Sequence, residues 1–365
     1  MKHTFPIFAV VFVLSACGNR KVAKLETSYK RIEITEDFLR GESAELPFEI
    51  VDTISLEQPE NPPLQVVVDI AFAEEFILLV DNKQGLLKFD YDGNIIQRIG
   101  AMGEGPEEYS MPYAIHLDEK ENTILVADWQ KRLVISYDLN GDFNSSSQRL
   151  PGHPISFYKE NDTLLVVQEG YVKSNAAPRQ VLLSSIEPLG LELKHRESPL
   201  YGYRSDFTIM HTIPRILSRI NGSTLFYMPI IQGDIASHSP KDTIFRKEED
   251  QLVPEYLLEF TGFDHTEHLA INHIVLSDDF AFLHVVHNHH QHLVIVDLLN
   301  NRGIGHVGQL FEQEISIENI PRPLGMGDLF YSILRDEESI EEKNPMIVIY
   351  QLSTTGYNNN KVLDE

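Results

Sequence analysis

One passage of this chain occurs twice, and that repeat constrains the fold more than any other feature. Ile77-Leu78-Leu79-Val80-Asp81 leads after a short gap to Phe89-Asp90-Tyr91-Asp92-Gly93-Asn94. Ile124-Leu125-Val126-Ala127-Asp128 leads in the same way to Tyr137-Asp138-Leu139-Asn140-Gly141-Asp142. The strand-ending Asp81 and Asp128 lie 47 positions apart, and the turn residues Asp90 and Asp138 lie 48 apart. A period in this range, made of short β-branched runs and tight turns, is the signature of a β-propeller blade. The repeat sets the architecture and says which loops share a face, but not what is bound there.

Residues 1–17 read as a leader. Lys2 and His3 precede an apolar run from Phe5 to Leu14, too short to span a bilayer as a stable helix. It ends in Leu14-Ser15-Ala16-Cys17, whose last residue is the only cysteine of the chain. This resembles the lipobox of bacterial lipoproteins, which implies cleavage before Cys17 and lipidation of its thiol. The competing reading is an ordinary secretory leader with a chance cysteine. By the family rule, Gly18 after the cysteine, and not Asp, implies the outer membrane. Surface-exported lipoproteins of Bacteroidetes carry acidic residues near the lipidated cysteine. Here Arg20, Lys21 and Lys24 follow with no acid before Glu26, so a periplasm-facing protein is expected.

With Cys17 acylated no thiol remains, so disulfides and cysteine-rich metal sites are excluded and burial alone must hold the core. The formal net charge is −25, and loss of the leader with Lys2 makes it one unit more negative. No basic stripe exists to neutralise phosphates, so nucleic acid is excluded as a partner. Docking on anionic lipid is equally disfavoured, which leaves the lipid anchor to supply membrane attachment. Most of the acidic excess is explained by solubility.

Residues 18–45 read as a flexible polar tether, and 46–365 as the folded domain. The first blade is expected at Leu64–Phe72, Phe76–Val80, Gly85–Phe89 and Ile95–Ile99, its last turn marked by Asp92-Gly93-Asn94. The second falls at Tyr113–Leu117, Thr123–Ala127, Leu133–Tyr137 and Asp142–Gln148. A weaker pattern places a third at 153–195, a fourth falls at 213–260 and a fifth at 271–307. Leu329–Leu334 and Pro345–Leu352 are too few strands for a sixth, and the unassigned Pro47–Leu56 supplies another. The expected fold is therefore all-β, a six-bladed β-propeller with an N-terminal strand closing the last blade. Five or seven blades remain open, because the third and sixth are poorly marked.

Gly100-Ala101-Met102-Gly103-Glu104-Gly105-Pro106-Glu107-Glu108-Tyr109 resembles the G-x-x-G-x-G-P-x-E-Y stretch of six-bladed propeller lipoproteins of Bacteroidetes, distant relatives of NHL-repeat propellers. Lys241–Phe245 leading to Pro254-Glu255-Tyr256, and Asn344–Tyr350, fit the same resemblance. It implies a propeller in the cell envelope and carries no catalytic residues over.

Loops between second and third strands share a face with the connections between blades, and the longer loops fall there. That face is the expected site. Asp81 and Asp128 end equivalent strands on it and could present carboxylates to a ligand or a divalent cation such as Ca²⁺. The alternative is that each caps its own turn. Trp129 could stack a ligand or shield the channel. Tyr201, Tyr203 and Arg204 could form an aromatic platform or a self-packed loop. His287, His289, His290 and His292 are the candidate metal ligands, although strand alternation sends neighbours to opposite faces and favours a solvated hairpin. The glycines of Gly100–Tyr109 could cradle an anion, but structural turns explain them better.

No H-E-x-x-H, G-x-S-x-G, Walker A or dinucleotide motif is present, so catalysis is not expected. The function expected is an envelope binding or scaffolding module for a glycan, peptide or protein partner, with no cofactor. The alternative is a metal-dependent hydrolase, lactonase or lyase with a divalent cation.

Overall fold

The structure, a computed structural model, describes residues 29–41, 48–59, 62–171, 179–188, 190–195, 199–203, 213, 215–229, 242–264, 268–325, 328–335 and 345–352. Six sheets are arranged in a ring, the architecture of a six-bladed β-propeller. Blade 1 comprises Val67–Phe72, Ile77–Asp81, Gly85–Phe89 and Ile95–Ile99; blade 2 comprises Pro112–Asp118, Thr123–Asp128, Leu133–Tyr137 and Phe143–Ser146. The second strands, Ile77–Asp81 and Thr123–Asp128, are buried along their whole length. That is why they read as unbroken apolar runs and not as alternating ones. The outermost strand Ile95–Ile99 meets solvent on one face and does alternate.

Blade 3 holds His153–Glu160, Thr163–Tyr171 and Arg179–Glu187. Its outer position is shared: Glu192–His195 pairs with one end of the third strand and Tyr201–Tyr203 with the other. Blade 4 holds Leu217–Ile220, Ser223–Phe226, Thr243–Glu248 and Gln251–Thr261, and blade 5 holds Leu269–Leu276, Phe280–His287, His290–Asp297 and Arg302–Val307. In blade 6, Leu329–Leu334 and Met346–Leu352 are flanked by Phe48–Ser55 on the outside. That N-terminal strand runs antiparallel to its neighbour, from Phe48 opposite Leu352 to Ser55 opposite Met346, and buries Ile54. The expected closure is thus realised. The innermost strand of this blade is only Arg322–Pro323.

The tether expected over residues 18–45 is corrected at its C-terminal end. Lys30–Thr35 pairs in parallel with Tyr256–Thr261 and adds a fifth strand to blade 4. A one-turn helix, Glu36–Arg40, follows, and the Thr35 hydroxyl oxygen accepts the Phe38 N–H at 3.0 Å as its N-cap. Ile32, Ile34 and Leu39 are buried. The folded body therefore starts near residue 29 and not at 46. Two alternating isoleucines among charged neighbours are too short a pattern to identify alone; the open edge of blade 4 is what makes them a strand.

The core lies between blades. Blade 1 packs on blade 6 through Ile70, Leu79 and Leu87 against Ile333 and Ile349, with Phe72 edge-on to Tyr331 at 5.1 Å. Blades 5 and 6 meet through Phe282 and Phe330, also 5.1 Å apart. The register of the innermost strand shifts at Val67/Asp69, Pro112/Ala114, Pro154/Ser156 and Ile271/His273. A bulge at the same place in four blades re-aims the residues that follow it around the axis.

Candidate functional site

The innermost strands of all six blades enclose a cavity of about 920 Å³ on the propeller axis. Asp69, Ile115 and Arg215 line it at the end away from the turns between first and second strands. Its walls include Phe72, His116, Phe157, Tyr158, Phe280 and Phe330. Its rim is made by the turns between first and second strands, with Glu119, Asp278, Asp279 and Asp328. The funnel therefore opens at the end of the tight turns. The long-loop face, where the site was expected, is the other end of the ring, and its loops 172–178, 204–212 and 230–241 lie outside the described residues. The inner strands themselves line this cavity.

Asp69 follows the bulge in blade 1, and its carboxylate is buried. One oxygen accepts the Ile70 N–H at 3.0 Å and the other the Ile115 N–H at 2.9 Å, in the neighbouring blade. Burial pushes its carboxyl up to about 6, against the opposing pull of the Ile115 N–H, Arg215 and Arg322. Arg215 donates from Nη1 to the Pro323 carbonyl at 3.1 Å. Arg322 is fully buried nearby, with Nη2 facing the Ile317 and Glu318 carbonyls and Nε without a partner. At the rim, burial and the neighbouring Asp278 and Asp328 raise the Asp279 carboxyl. His116, tilted against Phe157 at 6.0 Å, is held below its ordinary value by burial.

The residues expected to bind ligand are occupied elsewhere. Asp81 is completely buried; one oxygen accepts the N–H groups of Gln65 (2.7 Å) and Val66 (3.0 Å), the other those of Lys83 and Gln84 (both 2.8 Å). Asp128 repeats this, accepting from Ser110 at 2.6 Å, Met111 at 3.4 Å and Lys131 at 2.9 Å. Both are turn caps that also tie in the incoming connection. Trp129 stacks on His153 at 4.2 Å, and its carbonyl contacts His153 Nδ1 at 2.8 Å. Tyr201 packs against Phe226 and Phe245. Tyr203 donates its hydroxyl to Glu169 at 2.5 Å, and Glu169 also pairs with Arg179 at 2.7 Å. These two tyrosines serve the core of blade 3 and do not line the funnel. Cys17 and Arg204 lie outside the described residues.

The histidines divide as strand alternation requires. His287, opposite His290, and His292, opposite Val285, share one face of blade 5, where His292 meets His306 at 5.5 Å. His289 instead stacks on His268 at 6.3 Å. Burial, then the charges of His306, His287 and His290, lower the His292 ring to about 4. Among the described residues no three His, Asp or Glu side chains converge as a metal would require.

Gly100–Tyr109 is structural. Tyr109 is wholly buried, donates its hydroxyl to the Ile99 carbonyl at 2.7 Å and accepts the Leu86 N–H at 3.0 Å. Lys131 donates to the Gly105 and Glu108 carbonyls at 2.8 and 2.9 Å, and Tyr137 donates to that of Glu107 at 2.7 Å. The loop thus offers its carbonyls to donors of its own chain, and its Gly103 and Gly105 N–H groups are taken by the Tyr109 carbonyl and the Glu108 carboxylate.

Asp69 was missed in the sequence because Val66-Val67-Val68-Asp69-Ile70-Ala71 reads as an apolar strand. Its signal was the carboxylate itself, since an acid inside an innermost strand must face the axis or be paired.

Residues 36–363 match a family described as a domain of unknown function, DUF4934. The solved structure of a protein from Bacteroides fragilis NCTC 9343, named as exported, aligns with a TM-score of 0.61 at 16% identity, covering 89% of this chain and 100% of that one. A DUF4221-family member from Bacteroides vulgatus gives 0.53 at 10% identity, over 86% and 99%. At such identities the likeness is one of fold. No curated protein matches the chain.

Proposed function

The chain belongs to the DUF4934 family, and from that premise we propose that it is a binding module of the bacterial cell envelope whose ligand enters the axial funnel. The observation that carries this reading is the funnel itself. All six blades contribute to it, and aromatic walls surround a buried carboxylate and a guanidinium. A concave cavity that combines aromatic walls with convergent charged groups has what is needed to hold and orient a small ligand. Glycan or peptide fragments of the envelope are the ligand classes that reach such a location.

The envelope assignment rests on the Leu14-Ser15-Ala16-Cys17 lipobox, and the exported Bacteroides fragilis relative agrees with it. On this reading Cys17 carries the lipid, the outer membrane holds the anchor, and the ring faces the periplasm. The relation to NHL-repeat propellers is part of the same reading and rests on the Gly100–Tyr109 stretch.

Thermal-shift titration of the mature protein with a panel of envelope glycan fragments and short peptides tests the site. Ala71→Trp fills the funnel, whereas Trp129→Ala alters the opposite, long-loop face. A stabilising ligand lost only in the first variant supports the proposal. A ligand lost only in Trp129→Ala overturns it, as does a panel without any binder.

A further inference from the structure

The charges at the funnel floor do not pair with one another. Asp69 and Arg215 both line the cavity and attract each other electrostatically, yet no ion pair joins them. Each Asp69 oxygen takes a single backbone N–H, which leaves acceptor capacity on both. Arg215 commits Nη1 to the Pro323 carbonyl, and a guanidinium has further N–H groups to give. A carboxylate and a guanidinium that line one cavity without pairing are complementary to one ligand that carries both charges.

The rest of the funnel discriminates between ligand classes. A simple anion would have to pass Glu119, Asp278, Asp279 and Asp328 at the rim. A simple cation would meet Arg215 at the floor, with the buried Arg322 close by. A zwitterion has no net charge to be repelled at either level, and it can neutralise both floor groups. The cavity is far larger than an ammonium and a carboxylate need, and Phe157, Tyr158 and Phe330 line the remainder.

We propose that the funnel floor receives a zwitterionic α-amino acid centre, its ammonium against Asp69 and its carboxylate against Arg215, with the side chain among the aromatic walls. This rests on the funnel being the ligand site. The centre could belong to a free amino acid or stand at the end of a longer envelope molecule.

Calorimetric titration of the mature protein with phenylalanine tests the free form. Nε-acetyl-lysine, which carries the same centre at the end of an amide-bearing chain, tests the extended form. Binding of either is expected, and their relative affinity separates the two sources. Removing one ligand charge, as in phenethylamine or 3-phenylpropionate, should weaken binding at least tenfold relative to phenylalanine, or to Nε-acetyl-lysine if only that binds. These comparisons use the unaltered protein, so they stand even if a variant misfolds. Asp69→Asn and Arg215→Gln should each lose the preference for the zwitterion. Equal binding of a singly charged analogue, or no binding of both zwitterions, overturns the proposal. If a neutral glycan fragment bound at the floor instead, the funnel would stand as the binding site and the amino acid centre would fall.

Discussion

The Ile115 N–H donates to the Asp69 carboxylate at 2.9 Å and joins the innermost strands of blades 1 and 2, which share no β-ladder. Burial of the ionised carboxylate costs stability at neutral pH, and this bond offsets only part of that cost. The folded-state carboxyl titrates near 6, against an ordinary 3.8, so the folded protein binds more protons than the unfolded chain between those values. Stability from this group is therefore full below the ordinary value and is lost as pH rises through about 6. Asp69→Asn keeps an acceptor and removes the titration. Its stability relative to the native protein should rise between pH 4 and 7, by up to about 3 kcal/mol. Paired denaturant titrations across that range check it, and a flat difference would show that Asp69 is not buried as an acid.

His292 acts in the opposite sense. Its ring is lowered to about 4 in the fold by burial and by its histidine neighbours, so the unfolded chain takes up the proton first as pH falls. Stability from His292 is present above its ordinary range near 6.5 and is lost as pH falls toward 4. His292→Phe should make the acid side of the stability profile shallower, read by melting temperature at pH 7 and pH 5. The two groups share one pH window with opposite signs, so only single variants can resolve them.

Tyr109 gives a packing prediction. Tyr109→Phe removes the donor to Ile99 and leaves the Leu86 N–H buried without its acceptor, a loss of about 1–3 kcal/mol. Gly85→Ala should cost more than Tyr109→Phe. The glycine has φ +79, and an added Cβ would sit 2.6 Å from the Tyr109 ring. Chemical denaturation of the two variants orders them, and a milder Gly85→Ala would mean the ring can move aside.

The two N-terminal strands should behave differently on removal. Phe48–Ser55 completes blade 6, so deletion of residues 46–57 is expected to abolish cooperative unfolding. Lys30–Thr35 only adds a fifth strand to an already four-stranded blade. Deleting residues 18–41 should lower the melting temperature, expose the edge of Tyr256–Thr261 and promote aggregation, while one sharp transition remains. Calorimetry of both truncations decides, and a sharp transition after loss of residues 46–57 would rule out the closure.

Much of this architecture can be read from the sequence where pattern and turn agree. Asp92-Gly93-Asn94 and Asn140-Gly141 punctuate blades 1 and 2, and Gly93 and Gly141 do adopt φ +88. Arg322–Pro323 could not be seen, since two residues carry no period and the strand exists only by pairing with Phe330 and Tyr331. Ile32 and Ile34 became a strand only through a tertiary edge. The site was less legible than the fold. Asp81 and Asp128 could be recognised as special, but sequence alone cannot say whether a strand-ending carboxylate faces a ligand or its own backbone. The four N–H groups around Asp81 answer that. Asp69, with two, is the one that retains capacity.

The position of the ring relative to the membrane follows from where the folded body begins. If Cys17 carries the lipid, about a dozen residues separate it from Lys30, a reach of at most about 45 Å when fully extended. Lys30–Thr35 lies at the outer edge of blade 4, so a lipid on Cys17 would hold that blade nearest the bilayer. Arg20, Lys21 and Lys24 within the intervening segment can meet lipid phosphates, while the acidic body is kept off an anionic surface. The absence of acids before Glu26 departs from the surface-export pattern, and the proposed function therefore puts the ring on the periplasmic side. Protease added to intact cells should therefore spare the ring and digest it only after the outer membrane is opened. Cys17→Ala should release the ring into the soluble periplasmic fraction. Digestion in unbroken cells, with a periplasmic control intact, would instead place the funnel outside the cell, where extracellular glycans become its accessible ligands.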